Sequence, residues 1–320
     1  MTQNQPNLIE SWKKEEQKPF IGWDFSYLDG RMLLEQPPWS YSTRARELMS
    51  ESTSCLDIAT GGGERLLLLR DSWPEKLVVT EGYPPNVELA RRNLEPLGVR
   101  VVEANNDEYS PMTFEDGEFS LVLNRHAALH VDEIARILVP GGRLLTRQVH
   151  GLWAQDLLAA FDATPQWPDA TPEKYVPWLQ SAGFNVLDVK DWSGRLVFTD
   201  VGAIVYYLKA VPWLVPGFST ASHTDNLFSL QKQLETQGEL VFEARNYLIE
   251  AEKPGCRPLS SSHVDTPAAR ADFCGMRPGC QDHLLFHRLG HPLEQCRSPN
   301  GLIPRPQPHF DRACFEFRLL

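Results

Sequence analysis

The sequence predicts an α/β fold in which a mostly parallel sheet of seven strands is covered by helices on both faces. Three observations support this prediction. A short apolar run at residues 55–58 ends near three consecutive glycines and is followed by a helical pattern. Strand-like and helix-like segments then alternate along the chain, and a Pro-Gly-Gly turn at residues 140–142 leads into a further apolar strand. Such alternation is typical of parallel sheets built from right-handed crossovers.

The elements of the first half follow one another at short intervals. Pro84 and Pro85 open one helical pattern, and Gly98 closes it, as expected from the positions these residues prefer at helix ends. The β-branched and apolar runs between the helices predict strands. The predicted elements are a strand from 55, a helix at 63–72, a strand at 76–81, a helix at 86–97, strands at 99–104 and 119–124, a helix at 131–138 and a strand at 143–149.

The second half completes the sheet. Its predicted elements are a helix at 172–182, strands at 185–192 and 197–198, a helix at 227–237 and a strand at 239–250. Two strands separated by a helix and an insertion would add the sixth and seventh strands at one edge. Ligands of such sheets bind beyond the carboxyl ends of the strands, which is where we expect the functional residues.

The glycine turn at residues 61–63 points to a nucleotide-like cofactor. Consecutive glycines let the backbone approach a ligand closely and leave N–H groups free at the start of the next helix. A dinucleotide-binding turn would need glycine at positions 61, 63 and 66, and position 66 is Leu66. The spacing therefore disfavours an NAD-dependent oxidoreductase.

With Asp57 before the turn, residues 55–63 resemble motif I of the class I S-adenosylmethionine (SAM) dependent methyltransferases. Ala59 stands where the first glycine of that motif is usual. The resemblance covers roughly residues 50–253 and implies a Rossmann-like fold, SAM as the cofactor and methyl transfer as the activity. Within it, residues 81–86, 124–126 and 202–210 resemble a bacterial group of methyltransferase-domain proteins whose substrate the resemblance leaves undefined.

The resemblance also assigns cofactor-binding roles. Glu81 ends the second strand, where the family's acid accepts hydrogen bonds from the ribose hydroxyls. Asn106 and Asp107 follow the third strand, where a polar residue faces the adenine amino group, although an ordinary polar turn would look the same. Asn124 ends the fourth strand, near the methionine end of the cofactor. The expected cofactor-binding residues are Asp57, Thr60, Gly61, Gly62, Gly63, Glu81, Asn106, Asp107 and Asn124.

The acceptor site is expected to begin at the end of the fourth strand. Arg125 could pair with a carboxylate, and His126 could act as a general base near neutral pH, although it could equally cap the following helix. Trp39 and Tyr41 belong to an aromatic N-terminal segment. This segment either packs outside the sheet or forms a lid whose rings enclose the sulfonium by cation–π attraction.

Charge favours a small acceptor. Residues 1–253 carry 23 basic and 36 acidic side chains, a field that repels phosphate backbones on average. We therefore expect a methyltransferase acting on a small molecule, with no DNA partner. An RNA methyltransferase stays open as an alternative, as does a non-catalytic SAM-binding protein. The oligomeric state cannot be inferred.

The beginning of the chain predicts a cytoplasmic protein. Its charged first twenty residues fit neither a signal peptide nor a transit peptide. The most apolar segment, residues 201–218, is too short and too interrupted by Lys209, Pro212 and Pro216 to cross a membrane.

The chain is expected to divide into an N-terminal helical and aromatic lid segment (1–50), a methyltransferase domain with a late substrate insertion (51–253) and an irregular tail (254–320). The tail has eight arginines, no lysine, five of the six cysteines and nine of the 25 prolines. Its Cys280 and His283 suggest zinc, but no pair of Cys-x-x-Cys motifs occurs, so we predict no metal site. The abrupt shift in composition favours a frameshifted or disordered tail, with a genuine interaction segment as the alternative.

Overall fold

The computed structural model describes residues 5–20, 25–105 and 110–255, which form a sheet with helices on both faces. The strands are β1 (Met32–Leu34), β2 (Ser54–Ile58), β3 (Lys76–Glu81), β4 (Arg100–Glu103), β5 (Phe119–Arg125), β6 (Leu138–Val149), β7 (Asn185–Phe198) and β8 (Leu240–Glu252). The helices are α1 (Gln5–Glu16), α2 (Tyr41–Ser50), α3 (Glu64–Leu67), α4 (Pro84–Leu94), α5 (Val131–Ile137), α6 (Gln155–Ala159), α7 (Pro172–Ser181), α8 (Val201–Ala210) and α9 (Thr224–Gln237).

The strand order is β1-β7-β8-β6-β5-β2-β3-β4. The five strands from β6 to β4 pair in parallel, whereas β8 runs antiparallel to both of its neighbours. This confirms the predicted mostly parallel α/β architecture. The described residues form eight strands rather than seven, because β1 adds antiparallel to the end of β7. A three-residue strand carries no periodic pattern that a sequence can reveal.

Several boundaries differ from the predicted ones. Helix α3 ends at Leu67, not at residue 72, and the indole of Trp73 donates to the Leu66 carbonyl at 3.0 Å in place of the next helical N–H. Strand β6 already begins at Leu138 and runs through the Pro-Gly-Gly sequence with a register shift. The two predicted segments at 185–198 form the single strand β7. Helices α6 and α8 were not predicted, and α1 and α2 lie in the N-terminal segment that was predicted to be helical without bounds for its helices.

The sheet is buried between two apolar layers. Helices α5 and α7 pack on one face, and α2 and α4 pack on the other. A third cluster lies where the ends of β7 and β8 meet α1, α6, α8 and α9. Helix α8 is almost entirely buried there, which explains why its pattern is apolar all round rather than amphipathic.

The aromatic N-terminal segment is divided between two places. Trp12 and Phe25 are buried in the third cluster, which does not include the glycine turn. Tyr41 is buried on the α2 face of the sheet, and Trp39 packs against the same face. The side chain of Ser40 caps α2, and Arg44 in this helix pairs with the buried Glu250 of β8 at 2.7 Å. The start of α2 is therefore fixed above the sheet.

The outer edge of β7 is open along residues 185–194. In the described part of the chain, β1 pairs only with residues 196–198 of this strand. The apolar side chains of Leu187 and Val189 are 47% and 41% exposed beside this edge. A register shift between Val186 and Asp188 interrupts its pairing with β8.

No helix within the described ranges is long and apolar enough to cross a membrane. The tail from residue 256 onward lies outside the described residues, so the prediction of a frameshifted or disordered tail stays untested.

Packing at the start of α3 generates the first prediction. Gly63 has φ +83°, and a Cβ built on it would lie 2.6 Å from Leu94 of α4. We expect Gly63→Ala to lower the free energy of unfolding by about 2–4 kcal/mol, measured by urea denaturation. Gly30→Ala is the matched control, because Gly30 has φ +73° with no atom within 4 Å of the added Cβ. It should cost only about 1–2 kcal/mol. Equal losses would contradict the packing explanation.

Candidate functional site

The carboxyl ends of four parallel strands meet at one edge of the sheet and bring together the predicted polar residues. Asp57 nears the end of β2, Glu81 ends β3 and Arg125 ends β5. Side chains alternate between the faces of a strand, and these three lie on the α2 face. Asp57, Glu81 and Arg125 thus converge, although they come from distant parts of the chain.

The Glu81 carboxylate is hydrogen-bonded to the backbone of the glycine turn. Its Oε2 atom accepts the Gly61 N–H at 2.8 Å, and its Oε1 atom accepts the N–H groups of Gly82 and Tyr83 at 2.9 and 2.8 Å. Glu81 is fully buried. Because Oε2 accepts a single hydrogen bond, it keeps capacity for another. An acid twenty residues from the turn is thereby placed directly against it.

The backbone of the turn is shaped by its own packing. Ala59, at the position of the usual motif glycine, adopts the left-handed conformation with φ 57°. The Thr60 N–H donates to the Thr80 carbonyl at 2.9 Å, which joins the turn to β3. A Cβ on Gly62 would lie 2.5 Å from Leu89 of α4. Gly62 is therefore required by helix packing and not only by a ligand.

Asp57 lines a small cavity of about 30 Å³ together with Tyr41, Thr60, Arg65 and Arg125. Burial raises the pKa of its carboxyl to about 6, and the negative charge of Glu81 raises it too. A hydrogen bond with Thr60 and the charge of Arg125 act in the opposite direction. The carboxylate is thus ionised at neutral pH at a cost to stability.

Asn124 lies on the other face of the sheet from Asp57 and Arg125. Its Oδ1 atom accepts the Gln148 amide at 2.6 Å, and its Nδ2 atom donates to the Ala128 carbonyl at 3.0 Å. The side chain is fully buried. In this conformation Asn124 shapes the loop after β5, and its predicted contact with the cofactor stays untested.

His126 directly follows β5 in a strained conformation. Its φ of 61° lies in the left-handed region, and its backbone N–H donates to the Arg147 carbonyl at 2.9 Å. The side chain is 4% exposed. Burial and the charges of Arg125, Arg147 and Arg65 hold its pKa well below 6.5, so the imidazole is neutral at pH 7. Buried backbone strain of this kind is concentrated at functional sites.

Arg147 is a site residue that the sequence analysis missed. In the parallel pairing of β5 and β6 it lies directly beside Arg125. Its guanidinium lies over the Trp39 ring, 5.7 Å from the ring centre. Burial and the charges of Arg125 and Arg65 lower its pKa to about 9. The signal in the sequence was its position near the end of the predicted fifth strand, next to the strand that ends at Arg125.

The two predicted acceptor-site aromatics lie beside these arginines. Tyr41 lines the same cavity as Arg125, and its pKa is raised well above 10 by burial and by the charge of Asp57. Trp39 contacts Arg147. Asn106 and Asp107 lie outside the described residues. Within the described ranges no three His, Cys, Asp or Glu side chains form a metal-binding group.

Comparisons with known proteins agree with this geometry. Residues 56–146 match the family model described as "Methyltransferase domain". The demethylmenaquinone methyltransferase of Thermus thermophilus is 36% identical over 98 residues, which are 28% of this chain and 44% of that protein. The match thus spans less than half the length of this curated relative.

Two solved structures are similar at low identity. The YcgJ protein of Bacillus subtilis has 16% identity and a TM-score of 0.46, over 66% of this chain and 99% of that chain. A SAM-dependent methyltransferase of Aquifex aeolicus has 14% identity and a TM-score of 0.40, over 78% of this chain and 98% of that chain.

The raised pKa of Asp57 generates a prediction about stability and pH. The folded protein binds the Asp57 proton with a pKa of about 6, and the unfolded chain binds it near 3.8. Between these values the folded state holds more protons, so this contribution to stability falls as the pH rises through the window. We expect Asp57→Asn to be more stable than the wild type at pH 7 by up to about 3 kcal/mol.

The gain from Asp57→Asn should shrink as the pH falls from 6 to 4, and urea denaturation at several pH values measures it. Asp29→Asn, which changes an exposed carboxylate, is the control for general charge effects. A gain that does not vary with pH would contradict the assignment to Asp57.

Proposed function

We propose that this chain, whose residues 56–146 match a methyltransferase domain, is an enzyme that transfers a methyl group from SAM to a small-molecule acceptor. The observation that supports this most directly is the contact between Glu81 and the glycine turn. It places an acid with remaining hydrogen-bond capacity against backbone that can follow a nucleotide-like ligand.

The residues at this edge fit the cofactor. Glu81 would accept hydrogen bonds from the ribose hydroxyls, and the turn from Thr60 to Gly63 would lie along the methionine part. Asn106 and Asp107 are proposed to contact the adenine, as the sequence resemblance implies. The exposed ring of Tyr83, next to Glu81, offers an apolar surface at the rim.

When bound, SAM supplies an electrophilic methyl group whose sulfonium charge disappears as the new bond forms. This chain's residues therefore act chiefly by alignment and by keeping water out. Orientation of this kind can lower a barrier by roughly 7 to 11 kcal/mol. The buried cavity beside Tyr41 and Asp57 provides a water-poor place for it.

Two observations support a small acceptor. The Thermus relative is named for a methyl transfer to demethylmenaquinone, a small organic molecule. Residues 1–253 are strongly acidic, with 36 acidic and 23 basic side chains. Both are unfavourable for RNA as the acceptor.

We assign His126 the role of general base for an acceptor whose nucleophile carries a proton. A neutral imidazole at pH 7 can accept that proton. Arg125, Trp39 and Tyr41 are proposed to contact the acceptor, because they border the same cavity or the arginine next to it.

Replacing Glu81 tests cofactor binding. In Glu81→Gln, an amide NH₂ would replace one oxygen that now accepts backbone N–H groups, and the ribose would lose a charged acceptor. We expect the affinity for S-adenosylhomocysteine (SAH), measured by calorimetry, to fall about tenfold or more. Glu103→Gln at the exposed end of β4 is the matched control and should leave it unchanged. An affinity for Glu81→Gln equal to that of the wild type would contradict the assignment.

Replacing His126 tests the chemistry. Asparagine tolerates the left-handed conformation but cannot act as a base at neutral pH. Labelled SAM incubated with a fractionated cell extract identifies the acceptor fraction. With that fraction, we expect His126→Asn to lose about a hundredfold or more in turnover while SAH affinity is kept.

Unchanged turnover in His126→Asn would remove His126 from the mechanism. The half-buried His130 is the control position, and His130→Asn should transfer methyl groups at the wild-type rate. Label found only in RNA would contradict the small-molecule acceptor, and SAH binding without label in any fraction would support a non-catalytic SAM-binding protein.

A further inference from the structure

Three arginines gather at the candidate site. Arg65 and Arg125 line the small cavity, and Arg147 lies beside Arg125 in the sheet. We call Arg65, Arg125 and Arg147 the arginine cluster. Arg125 is 9% exposed, and the other two are partly buried. Like charges this close, in a site of limited solvent access, repel one another and reduce the stability of the fold.

Arg147 is the most informative member. In the described part of the chain it makes no ion pair with a carboxylate, and its Nε atom is buried without a hydrogen-bond partner. Its contact is the Trp39 ring. Other arginines on the same face are neutralised: Arg44 and Arg143 both pair with Glu250. A guanidinium held without such a carboxylate is suited to an incoming anion.

The charge of Arg147 also favours an anion. Within the described residues no ion pair offsets this charge, which lies beside Arg125 in the sheet. SAM adds a further net positive charge, because its ammonium and sulfonium groups outweigh one carboxylate. A neutral acceptor would leave this positive charge uncompensated in a buried place, whereas an acidic acceptor would offset it.

We propose that the methyl acceptor is an anion, and that the arginine cluster binds its acidic group, a carboxylate or a phosphate, with Arg147 as the principal ligand. This inference rests on the proposed function and specifies its substrate class. The Arg147 guanidinium lies over the Trp39 ring, 5.7 Å from its centre, and a planar guanidinium can donate to two oxygens of an acidic group at once. Arg125 ends β5 and His126 follows it, so the rest of the acceptor would lie next to His126.

The carboxylate of SAM itself is the alternative ligand for the arginine cluster. The experiment distinguishes it from the acidic group of the acceptor. Calorimetry first measures SAH binding to the wild type, Arg147→Met, Arg147→Lys and Arg195→Met. Arg195 is 56% exposed on β7 and pairs with Glu239, so Arg195→Met controls for the loss of one surface charge. The SAH complexes are then titrated with benzoate, with neutral benzamide and with inorganic phosphate.

We expect the wild-type SAH complex to bind benzoate or phosphate saturably and benzamide much more weakly. Arg147→Met should lose about tenfold or more in affinity for the anion, Arg147→Lys less, and Arg195→Met within about twofold of the wild type. SAH affinity should be unchanged throughout. Thermal unfolding of Arg147→Met should occur at a higher temperature than in the wild type, since one of three repelling charges is removed.

Three results would overturn the inference: no anion binding by the wild-type SAH complex, equal anion affinity in Arg147→Met, or a tenfold loss of SAH affinity in Arg147→Met. The last result would assign the arginine to the cofactor's carboxylate. A wild type that fails to bind SAH contradicts the proposed function, whereas SAH binding without anion binding contradicts this inference alone.

Discussion

The hydrogen bonds that Glu81 accepts from Gly61, Gly82 and Tyr83 are the interaction on which the candidate site depends. They join the ends of β2 and β3, and they give hydrogen-bond partners to the oxygens of a fully buried side chain, whose burial would otherwise be costly. The same contact orients the turn over α4, where the side chains of Leu89 and Leu94 leave room only for glycine at positions 62 and 63. Cofactor contacts, strand pairing and helix packing therefore constrain the same few residues.

Much of this arrangement could be predicted from the sequence because it is local. The glycine turn, the acid after β3 and the Pro-Gly-Gly sequence each determine a nearby element. The position of Arg147 beside Arg125 was not predicted, because it depends on the register between β5 and β6. Helix α8 was missed because a fully buried helix lacks an amphipathic period. The burial of Trp12 in the third cluster also depends on tertiary packing, so the sequence does not reveal it.

The arginine cluster and His126 belong to one electrostatic system. Three guanidinium groups and burial hold the pKa of His126 well below its usual range, which makes it a weak base in the protein alone. An anion bound to the cluster would cancel part of that repulsion and raise the pKa again. The acceptor that fits the arginines would thus strengthen the base that acts on it, and a neutral molecule of the same shape would not.

The open edge of β7 has a consequence for the behaviour of the protein in concentrated solution. Unpaired N–H and C=O groups on an edge strand can pair with a strand of another molecule and lead to aggregation. Here the bulge at residues 186–188 and the charged side chains of Asp188, Lys190 and Asp191 interrupt a flat surface that would otherwise accept one. These residues make pairing at this edge less favourable, and sequence changes that made the strand regular and apolar would favour aggregation.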